Sequence, residues 1–240
     1  MSGLFGLSTM AMIGLAYFCN VPHNICIFIF VQDVTNMPRG RPRQYDENTA
    51  LEAAMRLFWA QGYAGTSLDE LARATGMNRP SLYNAFGNKK SIFRRAMARF
   101  SDRMGEHSLS QLHNHADLAE ALKAYYYGAL DVYFDAPEPL GCLYFCTAAP
   151  EASEHSDIRD EIMGAIRLLD DAFTQRFEQA QAEGQIPEDA DPRALAALAQ
   201  AIQHSLSIRA RAGAGRRTLQ TFAAQSVNLL LSRPSDAVTG

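Results

Sequence analysis

Residues 1–32 of this 240-residue chain contain no Asp, Glu, Lys or Arg. Their two apolar runs, 10–18 and 25–31, are each shorter than a bilayer span, and Asn20, Pro22, His23 and Asn24 separate them. No cation precedes them, as a secretion signal would require. Residues 37–43, Met-Pro-Arg-Gly-Arg-Pro-Arg, read as the natural start of a basic arm, so residues 1–36 are expected to be a non-native or disordered apolar extension. A membrane-tethered interaction protein stays open as the reading of a different class, resting on residues 1–32 alone; a membrane is not an expected partner. Also missing are a Gly-x-Ser-x-Gly elbow, a Gly-x-x-x-x-Gly-Lys loop and a Gly-x-Gly-x-x-Gly fingerprint. No enzyme and no cofactor are therefore expected. The four cysteines, Cys19, Cys26, Cys142 and Cys146, have the spacing of neither a disulfide framework nor a four-ligand zinc site, which fits a reducing cytoplasm. His113 and His115, two apart, do not share a helix face, so no metal site is expected.

What is present is a chain with 48% hydrophobic residues, enough for a sizeable core, and a marked charge asymmetry. Residues 37–100 hold 11 Lys and Arg against 5 Asp and Glu, a net of +6, whereas residues 101–240 hold 11 against 20, a net of -9. A basic compact segment joined to an acidic one is the expected footprint when only the first touches a polyanion. No strand-like alternation or internal repeat is seen, so the class is all-α.

The basic segment reads as four short helices with clear punctuation. Asp46 caps the first, with Leu51, Ala54, Met55 and Phe58 on one face and Gly62 as its stop. Ser67 and Glu70 have capping-box spacing and open a second that Gly76 closes. Asn78 caps a third, with Pro80 in its first turn, and Gly87 ends it. Asn88 caps a longer fourth, with Ile92, Phe93, Ala96, Met97 and Phe100 inward. Two short helices across a glycine-containing turn are the geometry of a helix-turn-helix, whose second helix enters the major groove of DNA.

The run Thr66-Ser67-Leu68-Asp69-Glu70-Leu71-Ala72, then Gly76, then residues 81–93 (SLYNAFGNKKSIF) resembles the DNA-binding domain of the TetR family of bacterial repressors over about 50 residues. The resemblance implies a helix-turn-helix head at 37–98, a helical ligand-binding and dimerising body at 99–232, and double-stranded operator DNA, a small-molecule effector and a second copy of the chain as partners. Residues 233–240 are expected to be a disordered tail. Thr66 and Ser67 are placed to hold a phosphate at a helix N-terminus. Tyr83 and Lys89 resemble the family's backbone contacts, which position without specifying. Base reading is expected from Asn78, Arg79, Ser81 and Asn84, with Arg79 suited to a bidentate pair with guanine. Arg39, Arg41 and Arg43 form an arm for a minor groove or for phosphates.

Helices are predicted in the body at 118–134, 141–149, 156–183, 191–212 and 217–231. By position, an effector pocket is expected from Phe100, Met104, His107, Tyr126, Tyr127, Leu130, Tyr133, Phe134, Cys142, Tyr144, Phe145, Phe173 and Phe177, whose aromatic density suits a largely apolar or aromatic molecule. Cys142 and Cys146, one helical turn apart, leave thiol-based sensing of an electrophile or oxidant open, although their apolar neighbours favour buried, inert thiols. The last two helices resemble the pair that forms a four-helix bundle in dimers of the family, with Ile202, Leu206, Phe222, Val227 and Leu230 expected at that interface.

Overall fold

Each of the first four helices begins at a side chain that satisfies otherwise unpaired backbone N–H groups. Asp46 accepts from the amides of Asn48 (3.2 Å) and Thr49 (3.3 Å) and opens α1 (Glu47–Gly65). Gly62, at φ 81° and ψ 169°, breaks the regular helix inside that span. In the capping box of α2 (Leu68–Thr75), the Ser67 hydroxyl accepts from the Glu70 amide at 3.2 Å and the Glu70 carboxylate accepts from the Ser67 amide at 2.7 Å. The Asn78 and Asn88 side-chain oxygens accept from the Ser81 and Ser91 amides, both at 2.9 Å, to start α3 (Arg79–Phe86) and α4 (Lys89–Met104). Such caps contribute about 1 kcal/mol each, which matters for helices as short as α2 and α3.

The computed structural model describes residues 46–232, which form nine α-helices, two π-helical turns and one 3-10 turn, with no strand among the described residues. The expected extension 1–36, the arm residues Arg39, Arg41 and Arg43, Cys19 and Cys26, and the tail 233–240 lie outside them. Among the described residues, no helix is long and apolar enough to cross a membrane.

In the head, α1 and α4 pack through Phe58 and Phe93, whose rings meet edge-on at 5.0 Å, and Leu71, Leu82 and Phe86 close the core beneath α2 and α3. The same apolar core runs on into the body. There α4 passes through a π-helical turn (Gly105–Leu109) and the short α5 (Gln111–Asn114) to α6 (Leu118–Tyr133). Then come α7 (Ser156–Ala182), α8 (Pro192–Arg211) and α9 (Arg216–Leu231). The crossing of α6 over the π-turn depends on Gly128, where a Cβ would lie 1.8 Å from the His107 carbonyl oxygen. The apolar stripe of α7 packs inward but is interrupted by buried Arg176, which donates to the carbonyls of Leu112 (2.9 Å) and Ala116 (2.9 Å) and ties down the α5–α6 link.

One element differs from expectation. Instead of an α-helix over 141–149, the chain makes a π-helical turn (Tyr144–Ala148) that runs into a 3-10 turn (Ala149–Ser153). Pro150 supplies no N–H to continue an α-helical ladder, and Gly141 sits at φ 67°, outside helical space. Both π-turns face the same interior space, described below.

Candidate nucleic-acid interface and effector cavity

Gly76, at φ 68°, turns the chain between α2 and α3, and this turn decides which side of α3 faces outward. Leu82 and Phe86 are buried beneath it, while Asn78, Arg79, Tyr83 and Asn84 are exposed and Ser81 is half-buried. Tyr83 is a large aromatic ring left 44% exposed on a polar face. Arg79 is paired with Asp69 of α2 through two contacts, Nε to Oδ1 at 2.7 Å and Nη2 to Oδ2 at 2.6 Å. That pair holds the Asp69 carboxyl below its ordinary pKa, mainly through the hydrogen bond from Arg79. Both partners are solvent-exposed, so water screens the bridge and leaves it weaker than a bidentate contact with guanine. Asp69 therefore orients Arg79 without withholding it. The pairing joins residues ten apart across a turn, a contact that linear spacing does not reveal.

Two expected phosphate contacts are placed differently. Thr66 is 1% exposed and its hydroxyl donates to the Gly62 carbonyl at 2.7 Å, so it closes α1 and presents no hydroxyl to a phosphate. Ser67 is exposed, but its hydroxyl is engaged with Glu70 at 2.6 Å. Lys89 is half-buried, with Nζ 4.4 Å above the Tyr63 ring, and desolvation lowers its pKa. The ring steers the ammonium at the start of α4.

Head and body are joined by polar contacts as well as by the shared core. Asp135, just beyond α6, accepts from Arg56 of α1 at 2.8 Å and from Arg103 of α4. Lys90 and Arg94 of α4 pair with Asp157 (2.7 Å) and Glu161 of α7. Arg211, the last residue of α8, reaches back to α1: its Nη1 donates to the Trp59 and Leu140 carbonyls at 3.1 and 3.0 Å, and its Nη2 to the Ala60 carbonyl at 3.2 Å. Trp59 in turn donates its indole N–H to the Gly141 carbonyl at 3.0 Å.

Below this junction lies a cavity of about 80 Å³. Its walls come from α4 (Phe100, Met104), the first π-turn (Gly105, Ser108, Leu109), α6 (Tyr125), Cys142, the second π-turn (Tyr144, Phe145), α7 (Leu168, Leu169) and α8 (Gln203). Of the residues expected by position, Phe100, Met104, Cys142, Tyr144 and Phe145 are among them. Tyr126, Leu130, Tyr133, Phe173 and Phe177 do not line it; they are buried packing residues on faces of α6 and α7 turned to other helices. Tyr127 and Phe134 are half-buried against the core away from the cavity, and His107 is exposed in a separate polar groove with Glu52, Arg99 and Asp102. Helical spacing places a residue on a face but does not say which neighbour that face meets. Ser101, Ser108, Tyr125 and Gln203, absent from the expected set, are the polar wall residues that such spacing missed.

Cys142 is 3% exposed, and burial pushes its thiol up to about 12. A buried thiol kept protonated is a poor nucleophile, which argues against sensing of an electrophile there.

On the outer face of α8 and α9, Leu198, Ile208 and Leu229 are 55%, 58% and 75% exposed, and Leu198 and Leu229 line a shallow groove with Ile202, Phe222 and Leu230. Leu206 and Val227, expected at an interface, are instead fully buried within the protomer. Both helices carry two apolar faces, and these residues belong to the inward one.

A helix-turn-helix with an apolar underside and a polar outer face, set on a helical body with a pocket between its helices, defines a DNA-binding regulator with a sensing domain. Comparison with known proteins agrees. Residues 50–96 match the family described as bacterial regulatory proteins, tetR family, and residues 119–225 match the tetracyclin repressor-like C-terminal domain. The HTH-type transcriptional repressor ComR of Escherichia coli (strain K12) is 33% identical over 192 residues, 80% of this chain and 91% of the relative. Among solved structures, a cysteine-substituted mutant of the TetR family transcriptional regulator CifR, complexed with 26-bp double-strand operator DNA, is 29% identical, with a TM-score of 0.72 over 79% of this chain and 98% of that one. A TetR transcriptional regulator from Rhodococcus sp. RHA1 is 34% identical, with a TM-score of 0.55 over 78% of this chain and all of that one (100%). The chain belongs to the TetR family. It is a ligand-responsive, DNA-binding transcriptional regulator that works as a dimer, and it is not an enzyme.

Proposed function

We propose that this protein is a cytoplasmic repressor in which residues 37–98 form the DNA-binding head and residues 99–232 the sensing and dimerising body. The exposed face of α3 carries the reading. Arg79, Asn78, Ser81 and Asn84 meet base edges, while Tyr83, Lys89 and the backbone at the start of α2 hold phosphates. Residues 39, 41 and 43 supply an arm that adds sequence-independent attraction. Dimerisation pairs the exposed apolar faces of α8 and α9, through Leu198, Ile202, Phe222, Leu229 and Leu230, so that two heads reach half-sites of an approximate palindrome roughly 34–36 Å apart.

The single observation behind effector control is that α4 is at once a wall of the cavity and a helix of the head, with Phe100 and Met104 at one end and Lys89 at the other. At about 80 Å³ the cavity is well below the roughly 300–1,000 Å³ of pockets that hold drug-sized ligands. Filling it with an effector pushes α4 and α7 apart, changes the separation of the two heads and releases DNA; the coupling follows from the different affinities of the two arrangements for ligand.

Selection of bound sequences from a random double-stranded DNA pool by the full chain, at fixed near-physiological salt, tests this reading. Enrichment of one palindromic site supports it. Salt-sensitive binding with no enriched sequence refutes the operator-specific repressor.

A further inference from the structure

The lining of the cavity says what kind of molecule enters it, granted the reading above that it is the effector site. None of its wall residues is charged. A carboxylate or phosphate held against these walls would lose hydration without a cation to pair with, so the part of the ligand that enters is uncharged. The walls are mostly Phe, Leu, Met and the faces of Tyr rings, so the body of the ligand is apolar.

Three of the hydroxyl protons along the wall, those of Tyr125, Tyr144 and Ser108, are already engaged. Tyr125 donates to the Gln203 side-chain carbonyl at 2.5 Å, Tyr144 to the Met97 carbonyl at 3.3 Å, and Ser108 to the Tyr125 carbonyl at 2.9 Å. Gln203 itself is 1% exposed. Its amide nitrogen carries two N–H groups, and among the described residues it reaches one acceptor, the Tyr133 hydroxyl, at 3.4 Å. One N–H of a buried amide thus stands beside the cavity without a partner, and leaving a buried donor unsatisfied is costly. A ligand oxygen supplies the missing acceptor.

Size sets a further limit. A dry apolar cavity of about 150 Å³ accommodates benzene. The 80 Å³ here is about half of that, room for about three non-hydrogen atoms, so a ligand of about four to six presses on α4 as it enters.

We infer that the effector is a compact, uncharged molecule with an apolar body and a single hydrogen-bond-accepting oxygen, a small ketone, aldehyde or alcohol, anchored at the Gln203 amide. The only tryptophan of the chain, Trp59, reports on occupancy, because its ring packs edge-on at 4.9 Å against Phe100 of the cavity wall.

The test titrates the full chain with cyclopentanone, cyclopentane and cyclopentanecarboxylate, following Trp59 fluorescence and melting temperature. Cyclopentanone is expected to bind saturably and about five- to tenfold more tightly than cyclopentane, the ratio one hydrogen bond supplies. The carboxylate is expected not to bind. Gln203→Leu should reverse the order, the hydrocarbon binding more tightly because the ketone oxygen is then desolvated without a donor. Equal binding of ketone and hydrocarbon by the unaltered chain, binding of the carboxylate as tight as the ketone, or no binding of any probe each overturns the inference without requiring a variant to fold. Operator selection by the ligand-free protein is scored separately: its failure counts against the regulator reading, whereas intact operator binding with any of the three negative results counts against the ligand class alone.

Discussion

Arg211 offers the clearest measure of how strongly the body holds the head. Its guanidinium donates to the Trp59 and Ala60 carbonyls just ahead of Gly62, where α1 leaves regular helical space, and the Trp59 carbonyl also accepts from the Thr147 hydroxyl. It also pins the Leu140 carbonyl ahead of the second π-turn. Hydrogen bonds from a charged donor contribute about 1.5–3 kcal/mol each, and Arg211 is solvent-exposed, which places it at the low end. Nη1 has two hydrogens to share among Trp59 and Leu140 at 3.1 and 3.0 Å and the Thr147 hydroxyl at 3.4 Å, so only the two shorter contacts count in full. Three such contacts at the low end would sum to about 4.5 kcal/mol, but water competes for an exposed guanidinium, so Arg211→Ala is expected to lower unfolding free energy by about 2–3 kcal/mol, against the 5–15 kcal/mol typical of a whole domain. Arg211→Lys should recover less than half, since one ammonium cannot fork to both helix ends. Equilibrium urea unfolding of the three proteins at matched dimer concentration measures this, with a constant m-value confirming that the same surface is exposed. A loss under about 0.5 kcal/mol for the alanine variant, or full recovery by lysine, would show that the fork contributes no more than an ordinary surface charge.

Other expectations follow from different parts of the molecule. Gly128→Ala forces a carbon to within 1.8 Å of the His107 backbone, so α6 must lift from the first π-turn; it should cost more than about 3 kcal/mol by urea unfolding, and near-neutral behaviour would mean the crossing is not tight. In operator binding, Lys89→Ala should weaken all sequences alike and reduce the salt slope by about 1, while Arg79→Ala should relax preference at one base position; equal loss of preference in both would contradict the separation of roles. His204 is desolvated between Phe145 and α7, which lowers its pKa despite nearby Asp170. The unfolded chain then binds more protons below the ordinary value near 6.5, so stability should fall as pH drops through about 6.5 and level off below the folded-state pKa. Melting temperatures from pH 7.5 to 5 should show this slope in the unaltered protein and a shallower one in His204→Leu; parallel profiles would assign the slope elsewhere.

What the sequence determined by itself is concentrated where the determinants are local. Asp46, Ser67 with Glu70, Asn78 and Asn88 cap their helices within three residues of themselves, and Gly76 and Gly87 end theirs at positive φ, so the head's helix boundaries are legible from linear spacing. Burial of Leu82 and Phe86 beneath α3, with Arg79, Tyr83 and Asn84 outside, follows from the same helical period. The motif run from Thr66 to Phe93 carries the family resemblance for the same reason.

The tertiary structure alone decided what lies between elements distant in sequence. Periodicity marks Leu206 and Val227 as apolar but cannot tell the inward face of a two-faced helix from the outward one, which only the packing of α6 and α7 settles. Linear position puts Thr66 at the start of α2, and only the fold turns its hydroxyl onto the Gly62 carbonyl to close α1. Gln203 entered the cavity wall, and Tyr126 and Phe173 stayed outside it, because the path of the chain at Gly128 and Gly141 sets which helix faces meet, and those approaches are made by residues 20 or more positions apart: Gly128 against His107, and Gly141 against Ser207.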